Sequence, residues 1–189
     1  MKTRLVLLGA AMAFVAAMPA MGSQAWKAVH TFAIGGEGAW DYLSTDPASH
    51  RLFVPRSTHT MVIDERTGET IGDISGQKNA HGVALVPSAG RRFITDGSGS
   101  VVVFHLASYA VLGTLPAIPD ADGIIFDQAD NRVLVVSGRG KALLVFPPEI
   151  DPKNGKIDAP IALRGDPEFL AADAAGKIYI NLMTTNERE

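Results

Sequence analysis

The sequence contains no cysteine. Disulfide bonds, thiolate nucleophiles, zinc–thiolate sites and covalent c-type haem attachment are therefore all excluded, and the fold must be held by burial alone. Basic residues are also scarce, because 17 Lys and Arg stand against 20 Asp and Glu for a net charge of −3. Nucleic-acid backbones and anionic lipid surfaces both require clustered Lys and Arg, so neither is an expected partner.

Familiar catalytic and cofactor-binding motifs are missing as well. There is no G-x-S-x-G elbow, and the glycines around Ser98 in DGSGS predict a hairpin loop. The GGEGAW stretch, residues 35–40, lacks the strand–helix context of a dinucleotide fingerprint and is predicted as a flexible connector. DPKNGKID, residues 151–158, lacks the bidentate Glu of a calcium loop and is predicted as a turn. No catalytic residue is predicted.

The first 25 residues have the pattern of a secretory signal. Two basic residues precede an apolar run of 13 residues from Leu5 to Ala17, and Ser23-Gln24-Ala25 favours cleavage after Ala25. This run is shorter than the roughly 20 residues that span a bilayer; the alternative is an uncleaved membrane anchor. We predict residues 1–25 as a signal peptide and a periplasmic or extracellular mature protein with no membrane span. Removal of the two basic residues changes the net charge from −3 to −5.

The rest of the chain repeats a unit of about 40 residues. The spacings between successive copies of an apolar pair that follows a small polar turn are 41, 40 and 45 residues. The four pairs are Leu52-Phe53, Phe93-Ile94, Val133-Leu134 and Ile178-Tyr179. A second marker, Met61-Val62-Ile63, recurs twice at a spacing of 41. A unit of this length with four short strands and no helical periodicity predicts a blade of a β-propeller.

We therefore predict an all-β propeller of four-stranded antiparallel blades, with turn pairs such as Asn154-Gly155 between the strands. The predicted blades are residues 40–80, 81–121 and 122–166, followed by half of a fourth blade over residues 167–189. The predicted strands include Arg51–Pro55, Ser100–His105 and Lys156–Leu163, which are a second, a third and an outer strand of their blades. Residues 26–39 are predicted as a latch strand, similar to the outer strand of a blade, and a connector.

Three and a half blades do not close a ring of the usual four to eight. An unpaired strand edge and open apolar faces are expected at the two ends of the array. Because the break falls within a blade, we expect the chain to be the N-terminal half of a longer, seven-bladed protein. The alternative is that copies of the chain assemble to complete the ring.

Three segments of the repeats have a recognisable form. They are D-P-x-x-H-R-L-F-V at Asp46 to Val54, V-I-D within STHTMVIDERTGETIGDI, and PEFLAADAAGKIYIN at Pro167 to Asn181. These segments resemble the YVTN-type repeats of the YncE-like family of bacterial secreted β-propellers, and the resemblance covers about Thr31 to Asn181. It implies the propeller fold and a role as a binding platform.

Four side chains near the starts of the inner strands form the first candidate site. The innermost strands of a propeller line its channel, so residues at the same phase of each repeat converge there. These residues are Asp41, His81, Asp122 and Glu168. Three carboxylates and an imidazole could bind a cationic ligand or a divalent cation, with calcium, magnesium or manganese better suited than zinc. The alternative is that they are solvated strand ends that accept hydrogen bonds from the neighbouring blade.

A second candidate set lies just past the second strand of each unit. Arg56, Asp96, Ser137 and Asn181 occupy equivalent loop positions on one rim. Arg56 together with His59 could meet an anionic group, although an exposed arginine in a turn is ordinarily only solvated.

Two classes of function remain. The first is a non-enzymatic binding scaffold of the cell envelope that presents one rim to a protein or small-molecule partner. The second is a lactonase-like hydrolase with a divalent cation in the channel, where the ion polarises a carbonyl or acidifies water. We favour the binding scaffold, because one propeller fold hosts many unrelated roles, and we expect no cofactor other than such a cation.

Overall fold

The structure, a computed structural model, describes residues 26–173 and 175–183. The predicted signal peptide lies outside the described residues. The chain divides into two compact units, residues 1–31 and 32–189, and all described strands belong to the second. The described residues contain one short 3₁₀ turn, Pro87–Ala89, and no α-helix, and among them no helix is long and apolar enough to span a membrane.

Thirteen strands form three four-stranded blades and half of a fourth, and all paired strands are antiparallel. Blade 1 consists of β1 (Ser44–Asp46), β2 (Arg51–Pro55), β3 (Ser57–Asp64) and the first part of β4 (Thr70–Val86). Blade 2 consists of the rest of β4, β5 (Arg91–Asp96), β6 (Ser100–His105) and β7 (Val111–Pro116). Blade 3 consists of β8 (Ala121–Asp127), β9 (Arg132–Ser137), β10 (Ala142–Phe146) and β11 (Ile161–Ala162). The half blade consists of β12 (Pro167–Ala172) and β13 (Ile178–Leu182). The predicted fold class is confirmed, and the ring is not closed.

Blades 1 and 2 share a continuous strand, which the sequence did not predict. Residues 70 to 75 of β4 pair with β3, which also pairs with Ala80 through Ser57. Ala80 to Val86 pair with β5, so β1 to β7 form one sheet. No proline interrupts residues 70–86, whereas Pro116 ends β7 and Pro119 follows it before blade 3 begins. Gly76, at φ 95°, and register irregularities in both pairings accommodate the change of direction.

One predicted outer strand is absent from the described residues, and another is shorter than predicted. The latch strand is not formed, since the described residues 26–43 contain no strand. A strand needs a ladder partner, and the blade that the latch was expected to complete is not among the described residues. In blade 3 the predicted outer strand over residues 156–163 is reduced to β11, which pairs with Ala142 and Leu143. Pro160 directly before β11 has no N–H to extend the ladder.

The core consists of apolar layers between adjacent blades. Phe53 of blade 1 packs on Phe104 of blade 2 with ring centroids 5.9 Å apart, and Phe93 of blade 2 meets Phe146 of blade 3 edge-on at 5.4 Å. Leu134 and neighbours of blade 3 pack against the half blade. The third strands are buried on both faces, as their continuous apolar sequences predict. Each fully buried aliphatic or aromatic side chain contributes about 1.5–3 kcal/mol by burial.

Candidate functional site

The two predicted sets of site residues lie at the same end of the blades. Because neighbouring strands are antiparallel, the start of an inner strand lies beside the end of the next one. Ala80 pairs with Asp96, Ala121 with Ser137, and Pro167 with Leu182. We call this end the mouth face. It comprises residues 36–41, 78–81, 96–99, 118–122, 137–140 and 166–168.

Three of the four predicted channel residues meet in a cluster on the mouth face. The Nδ1 atom of His81 lies 2.7 Å from Oδ2 of Asp41 and 3.5 Å from Oδ1 of Asp122. One donor atom from each residue lies within 4.8 Å of the other two. The residues come from three consecutive blades, so the repeat phase predicted their convergence correctly. We call them the Asp–His–Asp cluster.

Thr95, at the end of β5, aligns the inner strands that carry this cluster. Its hydroxyl accepts a hydrogen bond from the Gly82 amide at 2.9 Å and donates one to the Asp122 carbonyl at 2.5 Å. A side chain at position 82 would bring a Cβ within 3.0 Å of Ile124 in the next blade. This close approach places residues 81 and 122 side by side.

Asn79 and Gly97 lie against the Nε2 side of the His81 imidazole. The Nδ2 atom of Asn79 lies 2.8 Å from Nε2 of His81. A Cβ at Gly97 would stand 2.6 Å from Asn79 Nδ2 and 2.7 Å from His81 Nε2, so only glycine fits there without displacing one of the two side chains. Neither residue was predicted, because neither lies at the start of an inner strand, the position on which the prediction rested.

Glu168, the fourth predicted channel residue, lies outside the three-residue cluster. Its Oε1 atom accepts a hydrogen bond from the Tyr42 hydroxyl at 3.0 Å, and the Tyr42 ring packs on Phe169 with centroids 4.7 Å apart. Tyr42 was also missed by the sequence interpretation. It connects the start of the blade array to the half blade, and it keeps the Glu168 charge close enough to act on Asp122.

The electrostatics of the mouth face are dominated by crowded carboxylates. Burial, together with the charges of Glu168, Asp41 and Asp120, raises the pKa of Asp122 to about 7, although His81 opposes the change. The Oδ1 atom of Asp122 is buried and accepts no hydrogen bond from the described residues. Its ionic neighbour is Nδ1 of His81 at 3.5 Å. Burial, followed by the charges of Asp122, Glu168 and Asp41, also raises the pKa of Tyr42. Such a surface favours a positively charged ligand.

The rim residue Arg56 is not exposed, contrary to the sequence interpretation. It is only 8% accessible, because its guanidinium donates hydrogen bonds to the carbonyls of Gly36 at 2.7 Å and Glu37 at 3.0 Å. It therefore anchors the connector that leads to Asp41. His59 also has neighbours within the protein, with its Nδ1 3.2 Å from the Thr58 hydroxyl and its Nε2 3.8 Å from Asp73.

The other predicted rim residues also serve the scaffold. Asp96 is buried and accepts hydrogen bonds from the backbone amides of residues 78, 79 and 98. Burial alone would raise the pKa of Asp96, but these amide donors lower it. Ser137 is buried and donates to the Pro119 carbonyl at 2.7 Å, and Asn181 accepts from the Phe169 amide at 2.8 Å. Ligand binding by these residues stays a prediction, and their side-chain atoms already have partners in the protein.

Comparison of the sequence with protein families and with curated proteins finds no match. Comparison of the structure with solved structures finds similar proteins. The chain is similar to Kuenenia stuttgartiensis hydrazine synthase (TM-score 0.69, 16% identity, 86% of this chain and 47% of that chain). It is also similar to the WD40 β-propeller domain of Doa1 (TM-score 0.63, 13% identity, 75% of this chain and 47% of that chain). BamB from Moraxella catarrhalis is a third similar structure (TM-score 0.57, 13% identity, 75% of this chain and 40% of that chain).

The chain spans less than half the length of these three proteins. At such identities the similarity concerns the fold alone. The four-stranded antiparallel blades and the similarity to WD40 and BamB structures agree on that fold. The chain is thus an array of β-propeller blades in which the ring is not closed.

Proposed function

We propose that this chain is an exported β-propeller of the YncE-like, YVTN-repeat type that acts as a non-enzymatic binding scaffold, with the mouth face as its binding surface. The observation that carries the proposal is the Asp–His–Asp cluster. Side chains about 40 residues apart in sequence are brought together by three rigid blades, and loops on a rigid scaffold are where binding groups gather.

The charge of the mouth face narrows the class of ligand. Asp41, Asp122 and Glu168 bring three carboxylates to this end, and no described residue donates a hydrogen bond to the buried Oδ1 atom of Asp122. A cationic group would supply the missing interaction and relieve the repulsion among the carboxylates. The scaffold therefore selects a partner or small molecule that presents positive charge.

Export is the second component of the proposal, and it is tested separately. The first 25 residues, fused to a reporter enzyme that is active only outside the cytoplasm, should yield reporter activity and a shortened product. A matched fusion with Leu8→Arg interrupts the apolar run and should yield neither. Reporter activity from both fusions, or from neither, would contradict an exported protein.

The binding surface is tested by photocrosslinking in cells. A photoreactive amino acid at Lys78, exposed on the mouth face, should crosslink to a partner, whereas the same amino acid at Glu69, exposed at the opposite end of blade 1, should not. Asp122→Asn combined with Glu168→Gln should abolish the crosslink if the carboxylates select the partner. Equal crosslinking from both positions, or persistence in the double variant, would refute the mouth face as the binding surface.

A cation-dependent hydrolase is the alternative, and the donor set of the Asp–His–Asp cluster favours it specifically. It predicts turnover of lactone or ester substrates in the presence of a divalent cation. Turnover that disappears in Asp122→Asn, while circular dichroism shows an intact fold, would replace the scaffold proposal with the enzyme. The scaffold proposal expects no turnover above background with any of these substrates.

A further inference from the structure

We infer that the Asp–His–Asp cluster coordinates a divalent first-row transition-metal ion through Asp41, Nδ1 of His81 and Asp122. The inference deepens the proposed function, since it names the cation that the mouth face takes. Its first support is the spacing of the donors: Nδ1 lies 2.7 Å and 3.5 Å from the two carboxylate oxygens. The edges of a coordination shell with metal–ligand bonds of about 2.0–2.2 Å are about 3–3.5 Å long. Both distances from Nδ1 are therefore within a few tenths of an ångström of such an edge, and the two carboxylate oxygens lie within 4.8 Å of each other.

The second support is independent of this spacing and comes from Asp122. Its Oδ1 atom is buried but receives no hydrogen bond from any described residue. A buried acceptor without a donor carries an uncompensated desolvation cost of about 1–3 kcal/mol, and more when it is charged. This oxygen faces His81 Nδ1, and a cation between the two atoms would provide the missing interaction. The ion-free cluster thus has an unsatisfied acceptor where the ion would lie.

The third support is the position of Asn79 on the far side of the imidazole. Without an ion, the Asn79 amide nitrogen lies 2.8 Å from Nε2, and Nδ1 lies 2.7 Å from Oδ2 of Asp41. A half-turn of the carboxamide exchanges its nitrogen and oxygen, so that it accepts a hydrogen bond from the tautomer that carries its proton on Nε2. In that tautomer the Nδ1 lone pair is free for the metal. Metal-binding histidines ordinarily have such a partner on the second nitrogen.

The donor set indicates the class of ion. An imidazole nitrogen is a ligand that zinc and its first-row neighbours favour, and carboxylate oxygens also suit manganese. One nitrogen and two oxygens therefore favour Zn²⁺ or Mn²⁺ over Ca²⁺ and Mg²⁺, which differs from the preference predicted from the sequence. Three protein ligands leave coordination positions open to water or to a donor atom of a partner.

Calorimetry with the ions themselves tests the inference. The purified full chain, freed of metal with chelator, is titrated with Zn²⁺, Mn²⁺, Ca²⁺ and Mg²⁺ at neutral pH. We expect one site for Zn²⁺ or Mn²⁺ and weaker or no binding of the other two. Asp122→Asn removes the anionic charge of a direct ligand, and His81→Gln removes the imidazole nitrogen. Each should weaken binding more than about 100-fold, compared with about 10–100-fold for an outer partner. Asp73→Asn and His105→Gln, which change the same residue types outside the cluster, should bind normally.

Asn79 provides a test that a merely acidic surface would fail. Asn79→Asp places a carboxylate against Nε2, which fixes the proton there, and should strengthen Mn²⁺ binding, whereas Asn79→Leu should weaken it about 10–100-fold. Electron spin-echo spectra of the Mn²⁺-loaded chain should show coupling to an imidazole nitrogen that His81→Gln removes.

Four outcomes would overturn the inference: binding of Ca²⁺ or Mg²⁺ alone, no binding of any ion, equal binding by Asp122→Asn, or no nitrogen coupling. These results would leave the scaffold proposal standing if the Lys78 crosslink persisted. Loss of the crosslink with intact metal binding would refute the scaffold proposal and leave the metal-binding inference standing.

Discussion

Replacing Asp122 by the isosteric asparagine should make the ion-free protein more stable at pH 8. The substitution keeps the shape of the side chain and removes a carboxylate that the fold disfavours in its charged form. Burial is the main cause, and the neighbouring carboxylates of Glu168, Asp41 and Asp120 add to it. His81 acts in the opposite direction. Asparagine removes the charge and keeps one oxygen at the same place.

The magnitude and the pH window follow from the pKa of Asp122, which is 3.8 for the ordinary group and about 7 in the folded protein. Between these values the unfolded chain releases the proton and the folded chain keeps it, so stability falls as the pH rises. The contribution is fully present below about pH 4 and is lost as the pH rises through about 7. The full difference corresponds to about 4 kcal/mol. Partial access of solvent to the side chain screens this to about 1–2 kcal/mol.

Urea unfolding of both proteins in chelator, followed by the far-ultraviolet circular dichroism of the β-sheets, measures this difference. Asp122→Asn should be more stable by about 1–2 kcal/mol at pH 8, and the difference should vanish near pH 4. The lowered pKa values of Asp96 and Asp120 affect stability only below this window. Asp73→Asn, outside the cluster, should show no such trend. A variant that is less stable at pH 8, or a difference independent of pH, would refute the electrostatic account of the cluster.

Three further perturbations test the scaffold. Arg92 is buried and ion-paired with Asp46 of blade 1 at 3.3 Å. Asp46→Ala should cost about 3–5 kcal/mol in urea unfolding, and Arg92→Met less, because the first variant leaves the more deeply buried charge unpaired (side-chain exposure 2% for Arg92 and 14% for Asp46). Gly97→Ala should cost about 1–3 kcal/mol and shift the His81 imidazole signals in NMR, and unchanged signals would contradict the crowding there. Phe93→Ala should cost about 3–5 kcal/mol in thermal or urea unfolding, as expected for a fully buried phenylalanine; a loss below about 1 kcal/mol would contradict its place in the core.

The sequence predicted strands well where the signal is local. The predicted ranges Arg51–Pro55 and Ser100–His105 agree with β2 and β6 because turn residues flank short apolar runs there. It failed where pairing depends on distant residues. The latch strand required a partner elsewhere, and β4 continues through Gly76 because its pairing simply passes from β3 to β5. Neither property can be read from a local pattern.

The site shows the same division. Repeat phase predicted the convergence of Asp41, His81 and Asp122, since equivalent positions on inner strands occupy equivalent places around an axis. It could not predict Asn79 or Tyr42, whose contacts arise from positions without such equivalence. The error over Arg56 has a similar origin, because its partners are backbone carbonyls of the connector, and these leave no trace in side-chain pattern.

The geometry of the cluster depends on two interfaces between neighbouring blades. The Ser44 hydroxyl donates to the Val83 carbonyl at 2.7 Å, which fixes blade 1 against blade 2, and Thr95 fixes blade 2 against blade 3. In repeat proteins each unit contacts mainly its neighbours, so stability and alignment are transmitted from one interface to the next. The Asp–His–Asp cluster lies across these two interfaces, whereas the Glu168 charge depends on the half blade through Tyr42. The three side chains of the Asp–His–Asp cluster therefore come from the first three blades, and the half blade adds the negative charge of Glu168 beside them.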